Sequence, residues 1–465
     1  MAEILVSELK DAPPPAAACA RFLDLPYPLL LESARRSQWL GRYSFLTADP
    51  WQVLKRKGEG SDPFAELASL LARYSLEAQR ELPPFQGGAA GFLAYDLCHH
   101  LERLPSPRFD DLDLPDLCLG LYDWTIAWDH ETGRTWLFST GLPEVGAARE
   151  ARAEARAAMV RRRLASPAAT LPPDCAPQPG RPGPRTHPVR ELPGVVSSFS
   201  REQFLNAVAR TREYVLAGDI FQANLSQRLE AGVAEPPFEL YLRLRQKNAA
   251  PFAAYFDLGE AAIASASPER FLLLTGDRVE TRPIKGTSPR GLSPRHDSAL
   301  GEALTESEKD RSENVMIVDL LRNDLSKVCE DGSVEVPELC LVERYATVHH
   351  LVSTVVGRLR PGLGPVDLLR ATWPGGSITG APKVRAMEII AELEPTRRSV
   401  YTGSLGYFSW SGAMDTSIAI RTFILKGGRA YFQVGGGIVA DSVPEREYDE
   451  TLDKARGMAA ALQLP

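Results

Sequence analysis

The sequence predicts an α+β fold, on three observations. Strand-like runs follow one another directly in both halves of the chain. Helical periods stand between groups of them, and the order never settles into strict strand–helix alternation. The chain also has the bulk for a large core: 465 residues, 44% hydrophobic and 24% charged, which is ordinary globular usage. That length fits about three units of roughly 150 residues or one large body. Lys plus Arg number 53 against 60 Asp plus Glu, a net charge of −7. This balance argues against a general nucleic-acid binder, whose affinity rests on excess positive charge. No apolar window approaches the ~18 uninterrupted residues of a membrane span. Glu3 interrupts the first apolar stretch and no basic region precedes it, unlike a secretory signal. Six cysteines without a CxxC pair fit reduced thiols in a cytoplasmic protein.

Taken in order, residues 29–31, 43–47, 119–128 and 135–140 read as strands, with Gly87-Gly88 as a turn. Residues 145–164 are rich in Ala, Arg and Glu, good helix formers, and their arginines read as a solvated face rather than a basic patch. From Pro167 to Pro193 there are nine prolines in 27 residues. Proline fixes φ and lacks an N–H, so this stretch predicts a linker or long surface loop. It divides the chain into residues 1–164, a loop over 165–197, and residues 198–465. Ser200 and Gln203 have capping-box spacing, and Phe204, Val208 and Val215 follow at helical period before Gly218. Residues 306–321 predict a second helix. Pro382 opens a third with Val384, Met387 and Ala391 as its buried stripe. Ser442, Pro444 and Glu445 open a last helix running to about Leu462. Strands are predicted at 262–265, 271–274, 400–410, 417–425 and 431–434.

Several groups along these elements carry chemistry. Arg421 lies in a strand whose apolar neighbours Ile418, Ile420, Phe423 and Ile424 predict burial on both faces. A guanidinium there needs an anion, either a structural carboxylate or a ligand's. Gly435, Gly436 and Gly437 follow a strand; they read as a turn, a bulge or a backbone nest for a ligand oxygen. Thr379-Gly-Ala-Pro precedes a helix whose free N–H groups favour an anion. Glu306, Asp310 and Glu313 are spaced i, i+4, i+7 on one predicted helix, and Glu447 and Glu450 are spaced i, i+3 on another. They are solvated faces or, from two facing helices without Cys or His, oxygen ligands for a hard cation such as Mg²⁺. Lys285 stands beside Ile284 and Gly286. It reads as a surface residue or, if desolvated, as an amine whose lowered pKa makes it a nucleophile.

Together these segments resemble the chorismate-utilising enzymes. The matching blocks are Gly218-Asp-Ile-Phe-Gln-Ala-Asn-Leu-Ser-Gln, Ser267-Pro-Glu-Arg-Phe, Pro283-Ile-Lys-Gly-Thr, Glu313-Asn-Val-Met-Ile-Val-Asp, Pro374-Gly-Gly-Ser-Ile-Thr-Gly-Ala-Pro-Lys, and Asp415-Thr-Ser-Ile-Ala-Ile-Arg. The match is dense from about Phe199 to Leu462. It is looser before that, at Leu30-Leu-Glu-Ser, Thr47-Ala-Asp-Pro and Gly87-Gly-Ala-Ala-Gly. The resemblance implies two large antiparallel sheets packed as a sandwich with helices outside, both halves folding as one body. It assigns Glu313 and Glu450 to Mg²⁺, with Glu447 nearby through water. Arg421, Tyr401, Thr379 and the Gly435–Gly437 backbone would hold chorismate, with Gly286 and Thr287 as further contacts. His350 would stand near the departing C4 hydroxyl, and Glu269 or His350 would supply a proton. Ser33 matches a strand that lines a tryptophan pocket in the family.

Lys285 separates the branches of the family. Anthranilate synthases typically carry alanine there, whereas aminodeoxychorismate synthases carry a lysine nucleophile. Isochorismate and salicylate synthases carry a lysine at the position of Gln222, and the Asn248-Ala-Ala-Pro-Phe block departs from the tryptophan-inhibited anthranilate synthases. The implied reaction is amination of chorismate in 4-aminobenzoate and folate biosynthesis. Ammonia would come from a separate glutamine amidotransferase subunit, since no such segment stands in this chain. Anthranilate synthesis and chorismate binding without turnover are the alternatives.

Overall fold

The computed structural model describes residues 4–35, 40–58, 60–79, 81–167, 181–344 and 348–463. Among these residues the strands assemble into one sheet of 13 strands and another of 10, with antiparallel ladders. Both sheets mix the two halves of the chain. Leu29–Glu32 pairs with Phe252–Asp257 in the larger sheet, and Gly88–Leu93 pairs with Ser404–Ser409 in the smaller. The sandwich implied by the resemblance is therefore built from interleaved strands.

The sheets face each other across an apolar layer. Leu29, Phe45, Phe256 and Ile424 come from the larger sheet, Phe92, Tyr122, Leu405 and Tyr407 from the smaller. The Phe85 ring stacks on Tyr407 at 4.6 Å between centroids, and Phe45 meets Tyr407 edge-on at 5.3 Å. Each such buried ring contributes on the order of 2 kcal/mol by area alone, and deleting the Tyr407 ring should cost about 3–5 kcal/mol. Helices Gly146–Ala165, Arg201–Leu216, Pro237–Lys247 and Pro444–Ala459 supply side chains to the core outside the larger sheet. Pro63–Arg73, Glu308–Ser326 and Pro365–Thr372 do so for the smaller. Arg201–Leu216 starts on the expected capping box: Ser200 Oγ accepts from Gln203 N at 3.1 Å, and Gln203 Oε1 accepts from Ser200 N at 2.8 Å.

Several expectations need correction. The run read as one helix from Glu306 is two, Pro294–Glu306 and Glu308–Ser326, because Ser307 caps the second. Glu306 is thus not in line with Asp310 and Glu313. Helix Lys383–Leu393 buries Ala386, Met387, Ile389 and Ile390, whereas Val384 is exposed. The run 119–128 divides at Asp123 into Leu117–Tyr122 of the smaller sheet and Trp124–Asp129 of the larger. Likewise 417–425 divides into Met414–Ile418 and Thr422–Lys426, again in different sheets. A strand crossing between two buried sheets reads as one apolar run, because burial continues while the backbone turns. The predicted strand 400–410 shortens to Ser404–Ser409, leaving Tyr401 in the preceding turn. Residues 168–180 of the proline-rich stretch lie outside the described residues. Further on, Val196–Ser197 joins the larger sheet and His187–Pro188 forms its edge strand, a position where proline is tolerated.

Candidate active site

The site forms where two chain segments change sheets side by side. The first runs from strand Ala262–Ser267 of the larger sheet through Pro268 and Glu269 into Arg270–Thr275 of the smaller. The second returns from Met414–Ile418 through Ala419, Ile420 and Arg421 into Thr422–Lys426. They are stitched together by Ile418 N donating to Glu269 O at 3.0 Å and Ala266 N to Arg421 O at 3.0 Å. Arg421 sits in the left-handed region at φ 51°. It therefore occupies a sharp turn and not the strand interior the sequence predicted.

Lys285 and Thr287 come from the neighbouring strand Ile284–Pro289, paired with Val348–Arg358, which carries His350. Gly286 between them has φ +87°, and a Cβ there would lie 3.0 Å from Asp310 on helix Glu308–Ser326. The absent side chain lets that helix lie close enough to present Glu313 to Lys285. Thr287 Oγ1 is 2.9 Å from His350 Nδ1. On the opposite wall, Gly435–Gly437 form part of strand Arg429–Ile438, paired with Gln222–Gly232. None of the three has positive φ, so they are no turn or nest as the sequence allowed. Their value is closeness: a Cβ at Gly436 would lie 3.4 Å from both Glu447 Oε2 and Glu450 Oε1 of helix Pro444–Ala459. Lys454 Nζ bridges Glu450 Oε1 and Gly435 O, each at 2.7 Å.

Electrostatics sort these groups. Glu269 is fully enclosed, and burial raises its pKa to about 7 against the pull of Ser377 and Lys285; Ser377 Oγ donates to its Oε1 at 2.6 Å. Burial pushes the Lys285 amine below the ordinary lysine value, while Glu313 and Glu269 oppose that shift. Glu313 is raised by burial, with Lys285 and Lys309 opposing. Burial also works to raise Glu450, yet Lys454, Lys309 and Lys285 outweigh it and hold this carboxylate low. Glu447 is raised by burial, with Ser442 bonding to it. Burial and then the charge of Arg421 push His350 down to about 3, so its imidazole is neutral near neutral pH.

Lys285, Glu269, Glu313, Glu447 and Glu450 thus share one electrostatic neighbourhood, with His350, Thr287 and Arg421 beside it. Among the described residues, no three acidic, His or Cys side chains are drawn together as a ready-made metal set. Thr379 is buried in the segment between the Gly376–Ile378 turn and the Gly380–Ala381 strand, and its hydroxyl donates to Gly375 O at 3.0 Å. That strand stands before helix Lys383–Leu393, so Thr379 does not open the helix as its spacing predicted. Tyr401 is buried near the Arg398 guanidinium, 5.7 Å from its ring centroid.

Ser33 lies apart, in a cavity of about 350 Å³ between the sheets. Its hydroxyl donates to Tyr43 O at 2.7 Å, and Arg270, Asp415 and Tyr407 line the far side. Sequence reasoning missed Ser377 and Lys454. Lys454 was legible as an i+4 partner of Glu450; Ser377 carries no local signal, because its contact with Glu269 spans 108 positions.

Comparisons with known proteins agree with this geometry. The family model described as chorismate binding enzyme matches residues 27–460. Aminodeoxychorismate synthase component 1 of Escherichia coli (strain K12) is 41% identical over 96% of this chain and 95% of that one. Anthranilate synthase component 1 of Thermus thermophilus is 42% identical over 98% and 96%. The crystal structure of anthranilate synthase component I from Streptococcus pneumoniae TIGR4 superposes with a TM-score of 0.77 at 33% identity, covering 91% of this chain and 93% of its own. The chain belongs to the chorismate binding enzyme family.

Proposed function

We propose that the chain aminates chorismate, taking chorismate and ammonia to 4-amino-4-deoxychorismate, with Lys285 as covalent nucleophile. One observation carries this reading: a half-buried lysine whose pKa desolvation lowers stands beside a buried carboxyl held near pKa 7. The Lys285 amine in its neutral form attacks C2 of the ring. The conjugated double bonds shift and the C4 hydroxyl leaves as water, taking a proton from Glu269. Ammonia then adds at C4, the double bonds shift back, and Lys285 departs from C2 as the neutral amine that attacked; the new C4 ammonium returns one proton to Glu269. Glu269 suits the acid role because about half of it is protonated near pH 7. His350, neutral there, serves to orient groups rather than to act as a strong acid, which narrows the two proton donors the resemblance left open.

Arg421, with the backbone of Gly435–Gly437 and the Tyr401 and Thr379 walls, would hold the carboxylates and ring; Gly286 and Thr287 flank the lysine. Glu313, Glu447 and Glu450 fit Mg²⁺ in donor type, being hard oxygens on two helices that face one space. Mg²⁺, when bound, supplies charge neutralisation at the ring carboxylate. The buried side-chain oxygens Gln222 Oε1 and Asn224 Oδ1, without hydrogen-bond partners among the described residues, offer acceptors to the incoming amine. Ammonia would be produced by a separate glutamine amidotransferase subunit, a reading supported by relatives designated component 1.

Anthranilate synthesis is the second reading, favoured by the 42% identity to the Thermus enzyme. Product analysis with chorismate, Mg²⁺ and an ammonium salt decides between them. Aminodeoxychorismate is expected, together with a covalent adduct on the Lys285 peptide when ammonium is omitted. Anthranilate as the sole product, or full activity in Lys285→Ala, would overturn the proposal; no chorismate consumption at all would favour a binder without turnover.

A further inference from the structure

Arg398 lies outside the reacting groups, yet the wall of the site converges on it. Its side chain is 2% exposed, and all five of its N–H donors are used. Nε donates to Glu394 Oε2 at 2.9 Å, and Nη2 to Glu394 Oε1 at 2.8 Å and Asn224 O at 2.5 Å. Nη1 donates to Ile378 O at 3.0 Å and Thr402 Oγ1 at 3.3 Å. Glu394 Oε1 also accepts from Ser226 N and Ser226 Oγ, both at 2.8 Å.

The far ends of these bonds are the immediate neighbours of the proposed substrate contacts. Ile378 precedes Thr379, and Thr402 follows Tyr401. Asn224 and Ser226 are the register partners of Gly437 and Gly435. Ser226 also interacts with the Tyr401 phenol. Thr402 N donates to Ala419 O at 2.8 Å, which joins the same turn to the crossover that ends in Arg421. Ser399 and Thr402 have φ of 52° and 59°, and Arg421 has 51°. Left-handed non-glycine residues persist only where surroundings over-determine them, and such sites cluster at function. Tyr95 N and Asp96 Oδ2 hold Ser399 from the other side, at 2.8 and 2.7 Å.

We infer that Arg398, with Glu394 as its counter-ion, is the positioning residue of the chorismate-holding wall, fixing Thr379, Tyr401 and the Gly435–Gly437 backbone relative to one another. This rests on the proposed function for the identity of the substrate. Lysine can place at most three donors, from a point charge instead of a planar fork, so it cannot hold all four partners.

The test compares wild type with Arg398→Lys and Ser226→Ala, measuring KM for chorismate, KM for ammonium and thermal stability. Asp111→Asn, which breaks the Arg228–Asp111 pair away from the site (2.8 and 2.6 Å), controls for stability loss. Arg398→Lys should raise KM for chorismate tenfold or more with KM for ammonium within twofold. Ser226→Ala, which keeps Arg398, should raise KM for chorismate severalfold and serves alone if Arg398→Lys does not fold. Asp111→Asn should move neither KM. An unchanged KM for chorismate in the variants that fold, with only the apparent kcat falling in proportion to the unfolded fraction, overturns the inference. Failure of the wild type to aminate chorismate instead removes the reading beneath it.

Discussion

The chain crosses between its sheets at Asp123 and again at Glu269, and both crossings bury a carboxylate. Asp123 is 0% exposed, and Arg152 and Arg156 of helix Gly146–Ala165 donate to its Oδ2 at 2.7 and 3.1 Å. Glu269 is 4% exposed; it has the Ser377 hydroxyl and the Ile284 backbone, with the charge of Lys285 nearby. Burial raises both pKa values. At Asp123 two guanidinium groups that remain charged at any ordinary pH oppose the shift. At Glu269 the opposing cation is an amine whose own pKa is lowered. A carboxylate locked to arginines is a joint. One facing a hydroxyl and a depressed lysine can exchange a proton.

The sharpest way to break this contrast is to neutralise each carboxylate. Glu269→Gln keeps the shape and the Ser377 contact but removes the proton, so kcat should fall about 10³-fold, within the usual range for a general acid. Its melting temperature should not drop. A rate within threefold of wild type would show that Glu269 is only another joint. Asp123→Asn should do the opposite, costing about 3 kcal/mol because Arg152 loses its carboxylate partner while Arg156 keeps Asp49, and activity per folded molecule should stay within twofold. Denaturant titration with active-site-normalised rates reads both.

A pH comparison sharpens it further. The folded pKa of Glu269 is about 7 against an ordinary 4.5, so folding favours its protonated form. The associated stability is fully present below pH 4.5 and is lost as pH rises through 7. Glu269→Gln should therefore gain stability relative to wild type between pH 5 and pH 8, by up to roughly 3 kcal/mol. Equal pH dependence in the two proteins would contradict the assigned shift.

The smallest expected effect concerns the Ser33 cavity, whose charged lining is paired like Asp123: Arg270 donates to Asp415 at 3.1 Å through both Nε and Nη2, and to Glu280 at 2.9 Å. An indole amino acid held there would bind about tenfold more weakly in Ser33→Leu, whose larger side chain fills part of the cavity. Calorimetry that gives no heat with tryptophan on wild type removes this site.

Part of the site was legible in short motifs. Pro283-Ile-Lys-Gly-Thr marked Lys285 through the family resemblance and helical spacing brought Glu447 to Glu450, whereas Glu269 and His350 were reached through the resemblance alone. The crossings at Asp123 and Arg421 were not legible, because no glycine or proline stands at either: 417–425 has none, and Gly120, the one glycine of 119–128, lies within strand Leu117–Tyr122 and ahead of the crossing. Apolar pattern reports burial, and burial is the same on either side of a crossing. Ser307 lay inside a run of good helical period, so its capping role was hidden as well.

By itself, then, the sequence determined the α+β class, and its resemblance to the chorismate-utilising enzymes singled out the candidate reacting groups, since residue type and spacing alone left each of them a bland reading beside the reactive one. Tertiary structure alone decided which carboxylate is neutralised and which is poised. That outcome depends on long-range partners: Arg152 and Arg156 for Asp123, Ser377 and Lys285 for Glu269, and the fork of Arg398 behind the opposite wall. Desolvation and Coulomb terms depend on distance in space, and no spacing along the chain encodes it.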